Sequence, residues 1–374
     1  MNINELLREA VLRKASDLHL KIGLPPMMRI WGELFPLHTA RNEKEEDIYA
    51  CPALAEADIK SLAIQIMPQV ETKLLASNGE IDFSFRSAED IRCRVNIYFQ
   101  ENRMAIAMRI IPPSVPTVNA LGLPRTVGRM AGQKRGLLLV TGPSGSGKTA
   151  TLASMINHIN SERRCHIITL EDPIEYIHFS KKSIINQREI GTDSLSFASA
   201  LRSALRQDPD VIQVGEMRDL ETISTAITAA ETGHLVLATL HTIDAPQTIN
   251  RIIDIFPPYQ QEQVRVQLAN TLVGVISQKL LKRSDDSEGR VVATEILKTN
   301  NAIRNLIREG KIYQIYSLLQ TGIRQGMHLM DSSLQKLHKR GLIDYETAME
   351  NAIDPESLGK MLDTASEAEA VSKT

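Results

Sequence analysis

Aromatic residues are scarce, 4% of 374 positions with a single tryptophan. Bases stacked on an aromatic platform are therefore excluded as the main mode of recognition. Cysteine is scarcer still: Cys51, Cys93 and Cys165 form no CxxC pair. Neither a zinc site nor a disulfide framework has support, and three free thiols fit a reducing compartment. An excess of one charge is also missing, since 43 Lys and Arg face 45 Asp and Glu for a net charge of -2. That argues against a protein-wide basic footprint for nucleic acid, although a local patch can hide in the total. Long hydrophobic runs are absent; stretches such as "GLLLV" fall far short of the roughly 20 residues that span a bilayer. The opening "MNINELLREAVLRKASDLHL" carries Glu5, Glu9 and Asp17 among its apolar residues and lacks the uninterrupted core of a signal peptide. A cytoplasmic chain is expected, able to work at a membrane by docking onto something embedded there.

What is present reads as an ordinary globular protein, 43% hydrophobic and 24% charged, long enough for two or three domains at roughly 150 residues each. Residues 1–110 read as a small mixed α/β domain. It opens on an amphipathic helix at 3–15, with short strands in "SDLHLKIG" and "MMRIWGELFPL". The charged "ARNEKEEDIYACPAL" reads as an extra surface loop, followed by a helix over about 56–76. "IDFSFRS" and "IRCRVNIYFQ" alternate like antiparallel strands, and "MAIAMRII" reads as another. Three prolines in "IPPSVPT" mark residues 111–117 as a linker. Beyond it, over 118–360, "GLLLVTG", "CHIITLED", "DVIQVGE" and "HLVLATLHT" are nearly continuous apolar runs between helical stretches, the pattern of a parallel sheet covered on both faces. From about Pro257 the strand signal fades. "QQEQVRVQLANTLVGVISQKLL" and most of 300–360 have helical periodicity, interrupted by "RVVATEIL", which predicts a helical part over about 257–360. The tail 361–374 is expected to be disordered.

"LLLVTGPSGSGKTATL" satisfies GxxxxGK[ST] with Gly142, Gly147, Lys148 and Thr149, after a strand and before a helix. Glycines let backbone N–H groups turn inward around phosphate oxygens, and the helix that follows presents its positive end to the anion. Lys148 reaches the β- and γ-phosphates and the Thr149 hydroxyl sits on Mg²⁺. The candidate contacts are Gly142, Ser144, Gly145, Ser146, Gly147, Lys148, Thr149 and Ala150. ATP and Mg²⁺ are the expected cofactors.

Further acids and bases follow strand ends. "IITLEDPIEYIH" carries Glu171, Asp172 and Glu175, and Glu175 is the candidate to polarise an attacking water. "DPDVIQVGEMRD" ends a second strand at Glu216, resembling a strand whose acid holds Mg²⁺ through water, with Gly215 where many such enzymes have aspartate. Gln213 interrupts that strand without explanation. His234 and His241 bracket "LVLATL"; their odd spacing puts them on opposite faces and argues against one shared metal ion. Arg188, Arg202 and Arg206 add phosphate-gripping forks, although most arginines on such helices are solvated or paired.

The order of the phosphate loop, "EDPIEY", "GEMRD" and "GHLVLATLHT", with "ASDLHL" near the start, resembles the secretion ATPases of type II secretion and type IV pilus systems. "AIRNLIRE" at 302–309 resembles the signature of the pilus retraction ATPases, the PilT family. The resemblance implies an N-terminal PAS-like α/β domain, a C-terminal RecA-like ATPase domain with a helical C-terminal part, and a homohexameric ring. It implies Glu175 as catalytic glutamate, Glu216 as metal-holding acid, and His234 and His241 as contacts to the nucleotide. Arg94 in "IRCRVN" and Arg109 in "MRIIPP" stand where the family carries arginine fingers. The implied activity is ATP hydrolysis driving pilus retraction and twitching motility. The implied partners are an inner-membrane pilus platform protein and a paralogous retraction ATPase, at the cytoplasmic side of the inner membrane. Assembly and secretion ATPases of the same superfamily are the near alternative, but they typically carry longer N-terminal extensions. A nucleic-acid translocase is a different class, disfavoured by near-neutral charge and few aromatics, and no nucleic acid is expected. In "NNAIRNLIREGK", Ile303, Leu306 and Ile307 share one face, while Arg304 and Arg308 repel at i, i+4 spacing. Arg304, Arg308 and Glu309 are the expected coupling residues.

Overall fold

Alternating apolar residues near the N-terminus do form antiparallel strands. In the computed structural model, which describes residues 2–30, 32–41, 47–67, 75, 77–111, 114–285 and 289–362, the chain divides into two units, Met1–Ser114 and Val115–Thr374. The first contains β1 (Asp17–Leu20), β2 (Met27–Ile30), β3 (Glu33–Pro36), β6 (Glu80–Arg86), β7 (Arg92–Gln100) and β8 (Arg103–Ile111). They form a six-stranded antiparallel sheet ordered β3-β2-β1-β8-β7-β6. Cys93, Val95 and Ile97 of β7 point into the core while the residues between them do not, the period-2 pattern of a sheet with one covered face. Helices α1 (Ile3–Leu12) and α2 (Glu56–Ile66) supply the other side of that core through Leu6, Leu7, Ile59 and Leu62.

Two expectations for this unit change, and a third lies partly outside the described residues. "MMRIWGELFPL" is two strands, folded back at Gly32, whose φ of 93° suits glycine. The expected surface loop contains a ladder of β4 (His38–Arg41) and β5 (Asp47–Ala50), with 42–46 outside the described residues. α2 ends at Ile66, and the predicted continuation over 68–74 lies outside the described residues. So do residues 112 and 113 of the proline stretch and the tail from 363.

The second unit is a seven-stranded sheet, β11-β10-β12-β13-β9-β14-β15. Its strands are β9 (Gly136–Thr141), β10 (His166–Glu171), β11 (Ile184–Glu189), β12 (Val211–Val214), β13 (Leu235–Leu240), β14 (Leu272–Lys282) and β15 (Arg290–Lys298). All pairs are parallel except β14 with β15. Every residue of β9, β12 and β13 is buried, as expected of strands covered on both faces. The covering helices are α3 (Arg125–Ala131), α4 (Lys148–Glu162), α5 (Phe197–Ala204), α6 (Leu220–Glu231), α7 (Ala245–Asp254), α8 (Pro258–Thr271) and α9 (Asn301–Arg308). After them come α10 (Ile315–Thr321), α11 (Met330–Lys339) and α12 (Tyr345–Glu350). Among the described residues no helix is long and apolar enough to cross a membrane.

The fading strand signal after Pro257 is corrected. "LVGVISQKLLK" leaves helix α8 at Thr271 and becomes β14, seated between β9 and β15. A short apolar run fits either period, so the helical reading had no local contradiction. The tertiary reason appears at Gly274: a Cβ there would lie 2.3 Å from the Leu297 carbonyl oxygen and from Met130 Cε. β11, an edge strand with mixed burial, was not foreseen, and it places Arg188 on a strand rather than a helix.

Candidate nucleotide site

The phosphate loop runs from the end of β9 to the first turn of α4. Gly142, Gly145 and Gly147 have φ of 144°, 76° and 86°, conformations that L side chains rarely adopt. A Cβ on Gly142 would sit 2.3 Å from the Gln278 carbonyl oxygen and 2.6 Å from Ser146 Oγ, so that position admits only glycine. Lys148 donates from Nζ to the carbonyl oxygens of Gly142 (2.9 Å) and Pro143 (3.0 Å), which lays its ammonium across the loop. Burial draws that ammonium below the usual lysine value, while the Glu216 carboxylate pushes it the other way. Thr149 and Ala150 are half-buried in the first turn of α4, and Ser144 is exposed on the loop.

Gln278, on the strand that sequence reasoning misread, holds this loop from behind. Its Nε2 donates to the Ser146 carbonyl (2.6 Å) and its Oε1 accepts from Thr151 Oγ1 (2.9 Å). One strand residue earlier, Ser277 Oγ accepts from Thr141 Oγ1 at 2.9 Å. Nothing local in "VISQKLL" flags these contacts, because they join residues more than a hundred positions apart.

The strand order sets β13 beside β9 and β12 beside β13, all parallel, with their C-terminal ends on one side. Glu216, just past β12, accepts from the Arg218 guanidinium and lies 3.0 Å from His241 Nε2. Burial works to raise the Glu216 carboxyl, but the bonds from Arg218 and His241 outweigh it and hold it below the usual carboxylate range. Gly215 has little room for a larger side chain: a Cβ would meet the Leu170 carbonyl oxygen at 3.0 Å and the Phe197 ring at 3.3 Å. Glu171 ends β10 fully buried and accepts at Oε1 from Thr169 Oγ1 (2.6 Å) and Gln187 Nε2 (3.0 Å). Burial pushes its carboxyl up to about 7 against those two bonds. Gln187 also donates to the Tyr176 carbonyl and accepts from the His178 N–H, and so pins the loop that carries the half-buried Glu175. Gln213 is buried opposite Thr169 in the ladder, with Oε1 unpartnered among the described residues.

Other expected residues lie elsewhere. His234 precedes β13, whose first residue pairs with Gly136 and whose last pairs with Thr141. It therefore sits at the end of the sheet away from the phosphate loop, roughly 17 Å off at strand rise. Its Nδ1 is 2.9 Å from the Ala229 carbonyl in the last turn of α6, a helix-end contact. Within this chain only His241 of the two expected histidines lies at the phosphate-loop end of the sheet. Arg202 pairs with Glu221, Arg206 donates to the Arg202 carbonyl, and Arg188 donates to the Asp193 carbonyl, so these three serve local structure. Arg94 and Arg109 belong to the first unit, where they face each other across the β7–β8 ladder. Each has an acid beside it, Asp82 at 3.5 Å and Asp17 at 3.0 Å; Arg109 is exposed and Arg94 half-buried.

The helix of "AIRNLIRE" is α9. Asn300 caps it, accepting from the Ile303 N–H, and Ile303 and Ile307 are fully buried. Arg304 does not face solvent freely. Its NH1 donates to the carbonyls of Ala269 and Asn270, both at 2.8 Å, capping the C-terminal end of α8. Arg308 and Glu309 are exposed, the first bonded to Asn305 and the second paired with Lys311. The three expected coupling residues thus divide into one structural cap and two surface charges.

Residues 1–348 match the family described as Type II/IV secretion system protein. The chain belongs to that family. Among this family's members, it is 46% identical to the type IV pilus retractation ATPase PilT of Pseudomonas aeruginosa, over 96% of this chain and 100% of that one. It is also 46% identical to a twitching motility protein of Neisseria gonorrhoeae, over 96% of this chain and 92% of that one. The crystal structure of the pilus retraction motor PilT with bound ADP superposes with a TM-score of 0.86 at 49% identity, covering 96% and 99% of the two chains. The expected likeness to the retraction branch of the family, and its mixed α/β fold, are borne out.

Proposed function

We propose that this chain is the ATP-hydrolysing motor subunit of a hexameric ring that powers type IV pilus retraction. The observation that carries the reading is Lys148 lying across a left-handed glycine loop, with Glu216 close enough to act on its charge, in a chain whose likeness to retraction ATPases runs almost end to end. In this reading the first unit is PAS-like and the second RecA-like.

The loop fits a triphosphate. Three glycines give the loop the positive-φ turns that aim backbone N–H groups at a phosphate, and α4 adds the positive end of a 15-residue helix. Mg²⁺ bound with the nucleotide would neutralise phosphate charge, held by the Thr149 hydroxyl and by Glu216 through water. Few protein ligands suit Mg²⁺, which keeps several waters, so one hydroxyl and one carboxylate are an adequate set. Lys148 moves its ammonium from the loop carbonyls to phosphate oxygens. Glu175 orients and deprotonates the attacking water, on a loop steadied by Gln187 and Glu171. His241, 3.0 Å from Glu216, senses the γ-phosphate region in this reading. Arg94 and Arg109 act as fingers on nucleotide held by a neighbouring subunit, each exchanging its acid, Asp82 or Asp17, for phosphate oxygens.

The ring works at the cytoplasmic face of the inner membrane against a pilus platform protein, alongside a paralogous retraction ATPase. Deleting the gene tests the direction of the motor. Excess surface pili with loss of twitching are expected; bald cells would assign the chain to pilus assembly instead.

A further inference from the structure

A second cleft opens at the end of the sheet opposite the phosphate loop, with a volume of about 1000 Å³. It is framed by α3, the start of β9, the ends of α6 and α8, the end of β15, and α9. Four cations line it, Arg129, Arg135, Lys298 and Arg304, against one acid, Glu231. In a chain of net charge -2, that is a local concentration of positive charge, and a cleft focuses the field it makes.

The internal partners do not use up this charge. Arg304 is committed to the α8 carbonyls and Arg129 spends one N–H on Thr126 Oγ1 at 3.1 Å. Arg135 and Lys298 are exposed and make no ion pair among the described residues. Glu231 is held instead by Gln267 Nε2 at 2.8 Å. A second observation points the same way: Thr299 Oγ1, also in the lining, is buried without a hydrogen-bond partner.

We infer that this cleft docks an acidic peptide segment of a partner protein. The lining selects among anions. Among the described residues no aromatic side chain lines it, so a nucleobase has no stacking platform. The Gly136 N–H is already given to the His234 carbonyl and the Thr299 N–H to that of Val273, so neither is free for a phosphate. Cations in a lining that also includes Met130 and Val273 instead match several carboxylates carried on aliphatic stems. The arginine forks bind carboxylates in bidentate fashion.

The inference is independent of the nucleotide reading, and its test needs no nucleotide. A fluorescein-labelled peptide of alternating glutamate and alanine is titrated against the full-length protein by anisotropy. Binding that weakens steeply with salt is expected, with a loss of about tenfold or more in the double variant Arg135→Glu, Lys298→Glu. The milder Arg135→Gln, Lys298→Gln pair should lie between, and basal ATP hydrolysis should be unchanged in both. Equal peptide affinity in wild type and double variant overturns the inference. So does binding of phosphatidylserine vesicles or inorganic phosphate at this cleft by a protein that ignores the peptide.

Discussion

Lys148 and Glu216 act on each other at the mouth of the phosphate loop, and each is tuned by burial against a neighbouring charge. Replacing Lys148 with alanine removes a side-chain cation that bonds to the loop, so hydrolysis should fall to background and nucleotide affinity with it, as read by a phosphate-release assay and a nucleotide titration. Glu175→Gln should behave differently, lowering kcat by about 10²–10⁴-fold with nucleotide affinity retained. Gln278→Leu leaves the Ser146 carbonyl and the Thr151 hydroxyl without their partner. A loss of about 1–3 kcal/mol in stability is expected by denaturant melts, with a raised KM for ATP. Glu171 makes a pH-dependent prediction. Burial raises its carboxyl from 4.5 to about 7, so between those values the folded chain holds a proton that the unfolded chain has lost. Its stabilising contribution is present below the lower value and is lost as pH rises through the higher. Thermal melts of Glu171→Gln should therefore gain on wild type between about pH 5 and about pH 8. An unchanged difference would show that the carboxyl titrates normally.

At the scale of elements, α9 illustrates what a motif in sequence conceals. Ile303 and Ile307 declare a buried face through their spacing alone, and that face is found. The role of Arg304 depends on where α8 ends, and its partner Ala269 lies 35 residues earlier, which no local pattern records. Arg304→Ala should cost about 1.5–3 kcal/mol, the range for hydrogen bonds to a charged group, because two terminal carbonyls lose their donor. Arg308→Ala should stay within about 0.5 kcal/mol of wild type. A retraction defect in Arg308→Ala with an unaltered melt would assign coupling to the exposed charges; a defect confined to Arg304→Ala would mark α9 as scaffold. β14 is the other lesson at this scale. Its apolar residues suit a helix as well as a strand, and only the slot between β9 and β15, closed to anything larger than glycine at Gly274, decides for the strand.

At the scale of the whole molecule, the nucleotide chemistry we propose is shared between subunits, with Arg94 and Arg109 supplied by a neighbour. Arg94→Ala and Arg109→Ala should leave ring size unchanged by light scattering while lowering turnover by about 10³–10⁵-fold. Turnover per subunit in the wild type should rise steeply with protein concentration as rings form. What the residues determined by themselves was whatever is contiguous: the phosphate loop between strand and helix, the buried runs of the parallel sheet, the alternating strands of the first unit and the apolar face of α9. What only the tertiary structure decided was whatever joins distant residues. It set Gln278 behind the loop, His234 at the far end of the sheet from His241, and Arg304 on the end of α8. The physical reason is that periodicity and turn chemistry are local, whereas hydrogen-bond partners and charge environments are chosen by which strands and helices the fold makes neighbours.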